Sequence, residues 1–120
     1  MEERELATAL ESYLETAIWS SGEEYDEYAI YDFSRDCWEE AEQTLTAFVE
    51  RHEDLIDRLL DQDLQTPSRI GHNLWLTTEG HGAGFWDEGL GEDGDTLTED
   101  CKQHRTDGIY VGDDGRLHFG

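Results

Sequence analysis

His72, Glu79, His81 and Asp87 fall within 16 residues of one another. Two imidazoles and two carboxylates are donors that Zn²⁺ or another divalent ion takes from protein. The glycines on either side of His81 would present that ring at a turn, where backbone comes close to a ligand. The spacing argues against a metal: there is no HExxH-type pair, and Cys37 and Cys101 are distant in sequence. A plainer expectation is structural, with glycines turning the chain, Trp75, Phe85 and Trp86 packing in the core, and the histidines hydrogen-bonding locally. Ser20, Ser21, Ser34 and Ser68 lack any motif that would make one a nucleophile. No catalytic residue and no cofactor are therefore expected. The cysteines are expected to be reduced core thiols, since nothing in their spacing favours a disulfide or a metal pair.

A second kind of chemistry lies in the charge. Eight Lys and Arg stand against 31 Asp and Glu, a formal net charge of −23. Such a surface repels a nucleic-acid duplex and anionic lipid, which excludes direct nucleic-acid binding and membrane anchoring. It suits a cationic macromolecule. Asp36, Glu39, Glu40, Glu50, Glu53, Asp54, Asp57 and Asp61 fall outside the apolar sector of one long helical pattern, and form the expected binding face. They span 25 residues, about 37 Å of helix at ~1.5 Å per residue. One charge per ~5 Å is sparser than the ~3.4 Å phosphate spacing of a DNA strand, so Glu11, Glu15, Glu23, Glu24, Asp26 and Glu27 must add to it for mimicry. The competing expectation is a solvated, salt-adapted face. Trp19, Tyr25, Tyr28, Tyr31 and Trp38 offer either core or an interaction patch, homodimerisation included.

The elements that must position these groups divide near residue 70. Residues 1–70 hold 20 acids and 5 bases, and residues 71–120 hold 11 acids, 3 bases and eleven of the twelve glycines. Leu6, Leu10, Leu14, Ala17 and Ile18 predict an amphipathic helix over 3–19, stopped by Ser20, Ser21 and Gly22. EEYDEYAIYDF (23–33) reads as a short helix or an ordered loop. Ser34 predicts a helix cap, and Cys37, Ala41, Leu45, Phe48, Val49, Leu55, Ile56, Leu59 and Leu60 predict one long helix over 35–62 unless Arg51-His52 breaks it. His52 points into the apolar sector and is expected as a satisfied core residue. LQTPSRIG is read as the break. NLWLTT and AGFWD then predict two strands joined at Glu79-Gly80-His81-Gly82. Asp95 or Thr96 is expected to cap a short helix carrying Leu97 and Cys101. Residues 108–111 and 116–119 flank GDDG, a second hairpin. The order predicts α+β: two N-terminal amphipathic helices packed with a small antiparallel sheet of two hairpins joined by a short helix. One domain is expected over 1–120, helical over 1–66 and hairpin-rich over 67–120.

The stretch GHNLWLTTEGHGAGFWDEGLGEDGDTLTEDCKQHRTDGIYVGDDG (71–115) resembles a widespread family of small acidic proteins from tailed phages and prophages. AIWSS (17–21) and the acidic segment after it resemble the same family. The resemblance implies a virus, provirus or mobile-element origin and supplies no activity. The family commonly has Asp-Phe at Asn73-Leu74, Arg-Asn at Thr78-Glu79 and Asp-Arg at Asp87-Glu88. Two of these departures remove an arginine. Lys102 is the only lysine beside seven arginines. Acid excess with lysine loss is what a halophilic cytoplasm selects, because molar salt screens self-repulsion.

Met1 is followed by two acids and no apolar run, so no secretory signal is expected. No stretch approaches the ~18 apolar residues of a membrane helix. Together these readings lead us to expect an accessory protein of the host cytoplasm, monomer or homodimer. It would bind a host protein with a basic nucleic-acid-binding surface, as a nucleic-acid mimic against a restriction or CRISPR complex. The alternative is a halophilic domain of unknown role with a ligand or metal site around His72 and His81.

Overall fold

The computed structural model describes residues 1–80, 84–103 and 108–120. Its elements are α1 (Glu3–Ser20), α2 (Arg35–Arg51), α3 (Glu53–Asp61), α4 (Pro67–Glu79), α5 (Glu92–Cys101), β1 (Ile109–Val111) and β2 (Leu117–Phe119). Single 3-10 turns lie at Glu23–Tyr25, Ile30–Asp32 and Phe85–Asp87. The class is α+β, with N-terminal helices packed together and a two-stranded antiparallel sheet near the C-terminus.

Local chemistry explains most helix ends. The Glu5 carboxylate accepts from the Glu2 N–H at 2.9 Å, and Glu3 and Glu5 complement the positive end of α1. Ser34 caps α2 as expected, its hydroxyl accepting from the Cys37 N–H at 3.3 Å. Thr66 caps α4 in the same way, accepting from the Arg69 N–H at 3.1 Å, with Pro67 at the first helical position. Gly80, at φ 76°, closes that helix in the left-handed conformation.

Four expectations are corrected. NLWLTT lies inside α4 and is not a strand. Ile70, Leu74, Trp75, Leu76, Thr77 and Thr78 are all buried, so α4 is covered on most of its circumference. A six-residue window of such a helix shows no period to separate it from a strand. Thr66-Pro67, read as a break, is the start signal. AGFWD supplies a 3-10 turn at Phe85–Asp87 in place of a strand. His81, Gly82 and Ala83, the rest of that expected hairpin, lie outside the described residues. The break that the sequence left open at Arg51-His52 is present at His52 (φ −125°, ψ 31°), giving α2 and α3. The C-terminal helix starts after Gly91, before the expected caps at Asp95 or Thr96.

The helices share one core. Tyr13, Leu14, Phe48, Trp75, Phe85 and Leu97 are each at most 2% exposed. Tyr13 meets Trp75 edge to face at 5.3 Å. α1 and α4 approach so closely that a Cβ at Gly71 would lie 1.9 Å from the Ala9 carbonyl oxygen. The expected C-terminal hairpin pairs Ile109 with Phe119, Tyr110 with His118 and Val111 with Leu117. Leu117 is fully buried, and its carbonyl accepts from the Ser34 N–H at 3.0 Å. The hairpin is thus tied to the start of α2.

Candidate functional site

α4 carries two of the four residues of the expected ligand site. His72 and Glu79 are seven residues apart on it, about 10 Å along the axis at ~1.5 Å per residue. That is too far to share one ion. The His72 Nδ1 lies 3.0 Å from the Thr16 hydroxyl, and its ring sits 5.9 Å from the Trp19 indole. Burial, with Arg69 next, pushes the His72 pKa below its ordinary value, against an opposing pull from Glu88. Glu79 is half-buried beside Gly108. Asp87 is exposed on the 3-10 turn. His81 lies outside the described residues. Among the described residues no group of three or more His, Cys, Asp and Glu is placed to hold a metal ion. Cys37 and Cys101 are free, buried thiols. Burial above all pushes Cys101 up to about 12, so it stays protonated at neutral pH.

Three arginines work as cross-braces. Arg51 donates twice to Asp100, at 2.8 and 2.9 Å, joining α2 to α5. Arg58 reaches Asp93 at 2.7 Å, joining α3 to α5. Arg69 donates to Glu88 through Nε at 2.9 Å, joining α4 to the turn after it. Asn73, buried, also donates to Glu88 at 2.7 Å and to Gln65 at 3.0 Å. Burial works against ionisation of Glu88, but the hydrogen bonds from Asn73 and Arg69 overcome it and hold its carboxyl below the usual range. His52 is satisfied as expected: its Nε2 meets Asp100 and its ring packs edge-on against Phe48 at 5.3 Å. Apart from Asn73–Gln65 and the Phe48–His52 ring contact, none of these pairings has a local sequence signal, because the partners stand 15 to 49 residues apart.

The expected acidic face is exposed, apart from Asp57, which is half-buried 3.4 Å from the Met1 amine. Glu39 pairs with Arg35 at 3.3 Å. Asp36, Glu40, Glu50, Glu53, Asp54 and Asp61 have no cation partner among the described residues. The break at His52 divides these acids between two helices, so they do not follow one straight rod. Exposed acids also occupy α1, residues 23–27, α5 and the GDDG turn. The aromatic group divides: Trp19 (69% exposed) and Tyr31 (79%) face solvent, while Tyr25, Tyr28 and Trp38 pack against the core.

One feature escaped sequence reasoning. A groove of about 850 Å³ runs between the C-terminal end of α4, the Phe85–Asp87 turn and α5. Trp86, expected in the core, is 52% exposed and forms one wall. Asp95, Thr98, Glu99 and Lys102 line the other. The i, i+4 spacing of Asp95 and Glu99 is visible in sequence, but their nearness to Trp86 is not.

No protein-family model, curated protein or solved structure matches this chain. Its site must be argued from its own geometry.

Proposed function

We propose that this chain is a small accessory protein of phage or provirus type. It acts in the host cytoplasm by binding a host protein that has a basic nucleic-acid-binding surface, and nucleic-acid mimicry against a restriction or CRISPR complex is the sharpest form of this reading. The observation that carries it is the division of labour among charges. The long-range arginine pairs brace the fold, whereas six acids on the outer face of α2 and α3 are left without a cation among the described residues. Uncompensated carboxylates focus a negative field outward and speed encounter with a cationic partner. Because α2 and α3 are separate helices, the match is to the field of a nucleic acid, not to its phosphate rows. Asn73 and Glu88 bear on the phage resemblance: they are two of the positions that depart from the family pattern, and they touch. No helix among the described residues is long and apolar enough to cross a membrane.

Inhibition of DNA cleavage by a panel of restriction and CRISPR nucleases tests this reading. Inhibition should be salt-sensitive and should weaken at least about ten-fold when Asp36, Glu40, Glu50, Glu53 and Asp54 are neutralised together to Asn and Gln. If the neutralised variant inhibits as well as the parent, or the parent inhibits no nuclease at low salt, the reading falls.

A second reading has its own support. Exposed acids lie on every helix but α4, and lysine is reduced to Lys102. Acidity spread in this way is also what adaptation to molar salt produces, and there it would serve solvation alone.

A further inference from the structure

The groove beside Trp86 has a chemistry that the general acidity does not explain. A half-exposed indole leaves a flat π-face open to solvent. Asp95 and Glu99 are one turn apart on α5, so both carboxylates stand on one face. Thr98 lines the same groove, with its hydroxyl oxygen turned in and without a hydrogen-bond partner among the described residues. One cation already uses the groove: the Lys102 ammonium lies 3.0 Å from the Glu99 carboxylate.

We propose that this groove anchors an arginine side chain of the partner protein, its guanidinium stacked on Trp86 and donating to Asp95 and Glu99. This rests on the reading above that the partner is basic. Charge complementarity selects a cation, and the indole wall selects a flat one. A guanidinium is planar, weakly hydrated and carries a fork of donors, so it stacks and binds carboxylates at once. An ammonium does only one of these well. Lys102 is the internal competitor that the incoming group displaces from Glu99.

The test is calorimetric titration, in about 0.15 M salt, of the full chain with two blocked peptides, one alternating glycine with arginine and one glycine with lysine. The arginine peptide should bind the more tightly. W86L, which keeps apolar bulk without the full indole face, should weaken it about ten-fold, and D95N/E99Q should do the same. K102M should tighten it a few-fold by freeing Glu99. E42Q/D63N removes the same two charges from exposed positions outside the groove and the acidic face and should change it less than about three-fold. Circular dichroism establishes that each variant is folded; if W86L is not, D95N/E99Q and K102M decide. Equal binding of the two peptides, or equal losses in D95N/E99Q and E42Q/D63N, overturns the groove while leaving the acidic-surface reading intact. No binding of either peptide, even at low salt, overturns both.

Discussion

At position 71 a hydrogen atom is all that the packing admits. The Ala9 carbonyl oxygen would stand 1.9 Å from a Cβ there, and the Tyr13 nitrogen 3.1 Å away. Both are backbone atoms of α1 and cannot rotate aside. G71A should therefore force α1 and α4 apart and cost about 2–3 kcal/mol or more, read from urea denaturation. A loss below about 0.5 kcal/mol would show that the two helices have room to spare. His72, the next residue, is fixed by its surroundings at this same scale. It is a packed, hydrogen-bonded ring between Thr16 and Trp19, and its lowered pKa is first a consequence of burial. Gly71 was readable in the sequence only as a glycine in a glycine-rich block. Its reason for being glycine lies 62 residues away in α1.

At the scale of elements, Asp100 holds the joint between α2 and α3. Its carboxylate takes two bonds from Arg51 and meets the His52 ring, so α5 braces the place where the helical pattern breaks. Burial alone would raise the Asp100 pKa, but the bonds from Arg51 and His52 outweigh it and hold the carboxyl below its ordinary value. The unfolded chain therefore takes up this proton before the folded one does. The stabilisation is complete above the unfolded value of ~3.9 and is lost as pH falls through the lower, native value. D100A should lower stability by roughly 1.5–3 kcal/mol at about pH 6, and the gap to the parent should close towards about pH 2 in urea melts. A gap that does not change with pH would mean that Asp100 acts by packing alone. The amphipathic stripe running through residues 35–62 was legible because periodicity is local. The break within it was foreseen only as an option at Arg51-His52, since its brace comes from residue 100.

For the whole molecule, charge is the governing quantity. With a net charge of −23 and most cations already committed to ion pairs, lowering the salt must raise the self-repulsion of the compact state. Tm should fall as salt drops from about 1 M to about 0.01 M, where the Debye length grows from ~3 to ~30 Å. The two functional readings part in the middle of this range. A binding module for a non-halophilic host stays folded at ~0.1 M salt, whereas a domain whose acidity is only solvation unfolds there. Scanning calorimetry across this series separates them. A Tm indifferent to salt would show that the acids are too well solvated to repel one another.

Composition, the amphipathic pattern of α1 and α2, the Ser34 cap and the GDDG hairpin were all decided by the chain as written, because each depends on residues within a few positions of one another. The α+β class follows from them. The tertiary structure alone decided that residues 67–79 are a helix, because burial on most sides erases the periodicity that would have marked it. It alone decided which acids are tied inward by arginine and which are left to solvent, and it alone put Trp86 opposite Asp95 and Glu99. The arginine pairs join residues 19 to 49 positions apart, and only packing brings these groups within reach of one another.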